Sequence, residues 1–134
     1  MKILLDTHIL LWLFFEDHFL SESAREMIRN DENEIYYSVV SVWEVAVKHA
    51  VRPEKMFLSG EKFASLCYDS GFDALPLTDR HVFALETLKR AADAPPHKDP
   101  FDKMLIAQAK AEGALFLTHD KMLPYYNEEC VRLV

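Results

Sequence analysis

Glycine is scarce, with 3 in 134 residues, so a flexible linker or a glycine-rich phosphate loop lacks the residues it needs. The two cysteines, Cys67 and Cys130, show no metal-ligand spacing and read as ordinary thiols of a reduced protein. No apolar run reaches the ~18–20 residues of a membrane span. Lys2 ahead of an apolar run superficially resembles a secretion signal. Asp6 and His8 interrupt that run and no small-residue cleavage site follows, so the expected location is the cytoplasm. Positive charge is also short: 15 Lys and Arg face 22 Asp and Glu, a net charge of −7. That argues against gripping nucleic acid by bulk charge. A nucleic-acid substrate stays possible, because a bound cation reverses the sign of a local site.

What is present fits one globular domain over residues 1–134, with 50% hydrophobic and 28% charged residues and length enough for one sizeable core. Lys2–Leu5 is aliphatic, ends in Asp6-Thr7-His8, and is followed by the unbroken apolar run 9–15. This pattern predicts a buried parallel strand feeding a buried helix at about Ile9–Glu16. Ser23 and Glu26 have capping-box spacing for a helix to about Asn30. Glu34–Val40 is β-branched and aromatic, a second strand. Ser41 and Glu44 form another capping box, opening a helix to about Val51 that Arg52-Pro53 closes.

Glu61–Ser70 reads as a helix, and Phe72–Leu77 as a short edge strand because it contains Pro76. Thr78 or Asp79 caps a helix from Arg80 to about Arg90, and 91–98 is a loop. Asp99-Pro100 opens a helix ending at Gly113. Residues 114–117 form a buried strand, a helical turn follows, and Val131–Val134 is a last strand. Strands alternating with helices predict an α/β sandwich around a mostly parallel sheet.

Asp6 and Asp120 end strands, while Glu44 and Asp102 lie in the first turns of helices. In a doubly wound sheet all four face the edge where ligands bind. Each has a bland alternative as a helix cap or turn residue. Asp102 resists it most, because it heads a stripe of Leu105, Ile106 and Ala109 that should pack on the sheet. Together the bland readings weaken. Two carboxylates ~5 Å apart repel by about 3 kcal/mol at an effective dielectric near 20. Four together oppose folding by an amount on the order of a domain's whole stability, ~5–15 kcal/mol. Protonation or bound cations must relieve this. All-oxygen sites suit Mg²⁺ or Mn²⁺, and such sites typically act on phosphate esters. Thr7, Thr118 and Ser41 are candidate hydrogen-bonding supports for these acids. His8, His97 and His119 lie near them, but without zinc-site spacing they read as contacts to substrate or backbone. Lys48, Arg52, Lys98 and Lys103 are local cations near the motifs, candidate substrate contacts or ordinary solvated surface charge.

The segments 4–8, 41–45, 99–103 with 106–109, and 117–120 resemble, in order, the four acidic motifs of PIN-domain nucleases. They look most like those of VapC-type ribonuclease toxins from type II toxin–antitoxin pairs. The likeness covers essentially the whole chain. It implies a three-layer α/β/α sandwich, Mg²⁺- or Mn²⁺-dependent endonucleolytic cleavage of RNA, a homodimer, and an antitoxin partner covering the site. It carries the metal-binding and catalytic roles onto Asp6, Glu44, Asp102 and Asp120. Asp102 takes the third place because it heads the buried stripe, leaving Asp99 as an auxiliary ligand or a cap. Two other readings are an aspartyl-phosphate phosphatase acting through Asp6, disfavoured by His8 two residues on, and a non-catalytic protein-binding module.

Overall fold

The computed structural model describes residues 1–134. Its five strands are β1 (Lys2–Leu5), β2 (Glu34–Ser38), β3 (Asp73–Leu75), β4 (Leu115–Thr118) and β5 (Val131–Leu133). They form one sheet in the order β3-β2-β1-β4-β5, with every pairing parallel. Six helices accompany them: α1 (Thr7–Phe15), α2 (Glu22–Arg29), α3 (Val39–Val51), α4 (Gly60–Asp69), α5 (Asp79–Leu85) and α6 (Pro100–Glu112). Two short 3₁₀ turns lie at Asp17–Phe19 and Leu123–Tyr126.

The alternation of side chains along a strand explains the layers. Ile3 and Leu5 of β1 and Leu117 of β4 join a core with Ile9, Leu10, Val45 and Phe63. Leu4 and Phe116 join a second core with Leu105, Ile106 and Ala109. Buried on both faces, β1 reads as a continuous apolar run. The result is the expected α/β/α sandwich. The strand order reverses at β1, so a crevice opens beyond the carboxyl ends of β1 and β4. No helix is long and apolar enough to cross a membrane. Both cysteines are free thiols. Burial pushes Cys67 up to about 12 and Cys130 up to about 11, so neither forms a ready nucleophile.

Helix starts depart from expectation in a consistent way. Ser21, not Ser23, caps α2 by accepting from the Ala24 amide at 3.1 Å. Ser38, not Ser41, caps α3 by accepting from the Val40 amide at 2.9 Å. Strand β2 therefore ends at Ser38 instead of running to Val40. Each segment has two serines, and the earlier one caps, lengthening α2 by two residues and α3 by three. Helix α1 likewise begins at Thr7, directly after β1. Helix α5 stops at Leu85, well short of Arg90. There the Glu86 amide bonds back only three residues, to Phe83 at 3.2 Å, and the Thr87 hydroxyl donates to the Ala84 carbonyl at 2.6 Å. Pro76 follows the short edge strand β3. Asp99 caps α6, and Gly113 ends it in the left-handed conformation at φ 65°.

The Ser38 hydroxyl also donates to the Gln108 amide oxygen of α6, whose amide nitrogen donates to the Pro76 carbonyl at 3.3 Å. This buried link ties α3 to α6. Ser38→Ala removes a cap and strands the Gln108 oxygen, so it should cost about 2–3 kcal/mol. Ser21→Ala, at a partly exposed cap, should cost about 1 kcal/mol. Urea denaturation of the two variants checks this ranking.

Candidate metal centre

Asp6 is the hinge residue between β1 and α1. It stands at the N-cap position of α1, yet its side chain makes no cap hydrogen bond. Its Oδ2 instead accepts from the Thr118 hydroxyl at 2.6 Å, and its Oδ1 is buried with no partner. The same Thr118 oxygen accepts from the Asp120 amide at 3.0 Å, so one hydroxyl ties Asp6 to the segment after β4. Asp120 Oδ1 accepts from the Met122 amide at 2.9 Å, a local turn.

Glu44 lies on the inner side of α3. Its Oε1 accepts from the Thr7 hydroxyl at 2.7 Å, and Thr7 is 2.8 Å from the Ser41 hydroxyl. A carboxylate can only accept, so the single Thr7 proton goes to Glu44 and Ser41 donates to Thr7. Glu44 Oε2 pairs with Lys48 one turn on. Asp102 stands in the first turn of α6, above buried Leu105, Ile106 and Ala109. Asp99 spends one oxygen on the amides of Phe101 and Asp102, at 2.9 and 3.3 Å.

The four candidate acids lie at one sheet edge, but of the four only Asp102 and Asp120 belong, with His97, to a group close enough to share one ion. Asp6, Glu44 and Asp102 are only 1, 2 and 7% exposed, and the charges of Asp6, Asp99, Glu44 and Asp120 all act on Asp102. Two placements differ from expectation. Ser41 is not a cap; it is buried against Thr7, so the capping-box explanation for Glu44 disappears. Lys48 is committed to Glu44 and is not a free surface cation. His97, expected from the sequence to contact substrate or backbone, stands among the acids themselves. Its Nε2 lies 3.5 Å from Asp102 Oδ2, and ligand atoms of His97, Asp102 and Asp120 fall within 4.8 Å of one another. The loop bringing it there is anchored by the Ala91 amide on the Tyr125 carbonyl at 2.9 Å and by His97 Nδ1 on the Tyr126 hydroxyl at 3.0 Å. His119 makes a backbone contact, its Nδ1 donating to the Val134 carbonyl oxygen at 2.7 Å.

Burial dominates the electrostatics. It raises Asp6 to about 6, with Glu44 adding to the rise and Thr118 and His8 opposing it. Burial, then repulsion from Asp6, Asp99, Glu44 and Asp120, raises Asp102 to about 9. Burial works against the Lys48 charge, but the Glu44 hydrogen bond and charge outweigh it and raise its pKa. Lys48 offsets part of the negative charge. The remaining donors are carboxylate oxygens with one imidazole at the rim, a set that fits a small hard divalent cation. The partnerless Asp6 Oδ1 needs such a ligand most, because a buried bare acceptor is costly.

The PIN-domain family model matches residues 3–129. The chain belongs to the PIN-domain family. No curated protein matches it. Two solved structures are similar to this PIN domain. One is VapBC2 from Rickettsia felis bound to a DNA fragment from their promoter, with TM-score 0.65 and 17% identity over 100% of this chain and 98% of that one. The other is FitAcB from Neisseria gonorrhoeae, with TM-score 0.60 and 18% identity over 96% and 95%. At these identities the likeness is one of fold.

The raised carboxyls set the pH dependence of the metal-free protein. The folded pKa values of about 6 and about 9 lie above the ordinary 3.8. Their contribution is therefore fully present below about pH 4 and is lost as pH rises through 6 and 9. In EDTA, the Tm contribution of these groups should fall from pH 5 to pH 9. Asp102→Asn should flatten the upper part of that fall and raise Tm by a few degrees at pH 8. Differential scanning fluorimetry across pH checks both.

Proposed function

We propose that this PIN domain is a metal-dependent endoribonuclease, the toxin of a toxin–antitoxin pair. The observation that carries the reading is the buried carboxylate cluster at the sheet edge, with one Asp6 oxygen left bare. Asp6, Asp102 and Asp120 would hold one or two Mg²⁺ or Mn²⁺, with Glu44 as ligand or as orienter of water; one Asp99 oxygen caps α6 and the other leaves it as an auxiliary ligand. A bound divalent ion supplies positive charge against the phosphate and acidifies water.

The chain's own residues prepare the site for this. Thr118 fixes Asp6 through Oδ2, so that Oδ1 stays free. Thr7, held by Ser41, and Lys48 occupy both oxygens of Glu44 and fix its orientation. Water attack on the RNA phosphodiester leaves a 5′-phosphate and a 3′-hydroxyl. Arg52 and Lys98 are exposed and Lys103 half-buried, and these cations are the contacts for the RNA backbone.

The partner reading has its own support. Val39, Trp43, Val47 and Val51 make an exposed apolar stripe along α3. It runs beside Glu44 and continues onto Phe101, whose ring lies 4.9 Å from that of Trp43. A groove of about 390 Å³ lined by Val47, Lys48, Val51, Arg52, Met56 and Phe101 adjoins it. An antitoxin segment or a second copy of the chain fits such a surface.

Purified protein with total RNA should cut in Mg²⁺ or Mn²⁺, stop in EDTA, and leave 5′-phosphate ends on mapping. Asp102→Ala should reduce cleavage to background. Asp6→Asn should do the same while folding as well as or better than wild type, since it relieves repulsion. Metal-independent cleavage with cyclic-phosphate ends would overturn the mechanism. Thr118→Val should lower cleavage about 10- to 100-fold, because it releases Asp6 without removing a carboxylate; single-turnover kinetics measure it.

A further inference from the structure

Two of the acids, Asp6 and Asp120, border a recess whose other walls the metal chemistry does not use. It holds about 220 Å³ and is lined by Asp6, His8, Trp12, His119 and Asp120. Two acids and three flat rings share its lining. The rings are fixed in place. Trp12 meets His119 edge-on at 5.0 Å and His8 at 6.4 Å. Phe19 backs Trp12 at 5.5 Å. The His119 ring is pinned by its 2.7 Å hydrogen bond to the Val134 carbonyl, and that segment is tied back by the Val134 amide on the Thr118 carbonyl at 2.9 Å. His8 and His119 are exposed, so their rings are open to a ligand. The volume lies below the ~300–1,000 Å³ of a drug-sized pocket, which leaves room for one ring system and not for a dinucleotide.

We propose that this recess is a subsite for a single unpaired nucleobase, the one next to the phosphate being cut. The proposal rests on the ribonuclease reading and names its substrate form: a single-stranded or looped RNA segment with one base turned into the Trp12–His119–His8 wall. Flat, pre-oriented rings stack any base at little ordering cost. The net charge of −7 leaves a general electrostatic grip weak, so stacking carries a larger share of strand binding. A paired base is held in its helix and cannot enter, so the recess also selects against duplex.

The test uses the cleavage-deficient Asp102→Asn protein and short single-stranded RNAs carrying one 2-aminopurine at successive positions. One position should show fluorescence quenching on binding. An abasic nucleotide at that position should weaken binding about 5- to 100-fold, and elsewhere by less than twofold. His119→Ala, at an exposed site that should not disturb folding, and Trp12→Leu should each abolish the quenching and the abasic penalty. Quenching at no position, or quenching that persists in both variants, overturns the proposal and leaves the recess to a side chain of a protein partner. Failure of the parent reading looks different. RNA cleavage by the wild type without any quenched position removes only the base subsite. Quenching without cleavage at any metal concentration removes the nuclease.

Discussion

Carboxylates crowded at the end of a parallel sheet repel one another, and burial makes the repulsion worse. Asp6, Glu44 and Asp102 are almost fully withdrawn from solvent, where charge is screened least. The fold answers with the means at hand. Thr118 and Thr7 donate to two of the acids, Lys48 neutralises one oxygen of Glu44, and Asp102 holds its proton far above the usual range. These measures leave one Asp6 oxygen bare. Everything else at this edge, from the α1 junction to the loop carrying His97, is arranged around that unfinished charge balance.

The sheet order explains why the acids meet. Strand β1 lies between β2 and β4, and the chain winds away from it in both directions. Asp6 and Asp120 follow strands paired in parallel. Glu44 and Asp102 come from α3 and α6, which the Ser38–Gln108 hydrogen bond holds together. Residues far apart in sequence thus share one crevice.

Much of this was legible in the residues. The strand β1 was read to its bounds, because an aliphatic run ending in Asp-Thr has few alternatives. Asp102 was legible through the stripe at 105, 106 and 109. Helix starts were less so: at Ser21/Ser23 and Ser38/Ser41 two serines compete, and spacing alone favours whichever has a Glu three residues on. Tertiary packing chose the earlier serine in both. That freed Ser41 to support Thr7 and left Glu44 with no capping duty. His97 was noticed for its nearness to Asp99, but its place beside Asp102 and Asp120 was not legible, since it sits in an irregular loop placed by the Tyr125 and Tyr126 contacts. The pairing of Lys48 with Glu44 was missed because Glu44 was itself given a capping role.

Proton release on metal binding tests the central claim most directly. At pH 7 the metal-free protein keeps Asp102 protonated, with its pKa near 9, and a divalent ion must displace that proton. Isothermal titration of Mn²⁺ in two buffers of different ionisation enthalpy counts the protons. The account predicts about one proton released per ion bound at pH 7, and none from the Asp102→Asn protein. No heat at millimolar Mn²⁺, or binding without proton release, would contradict it.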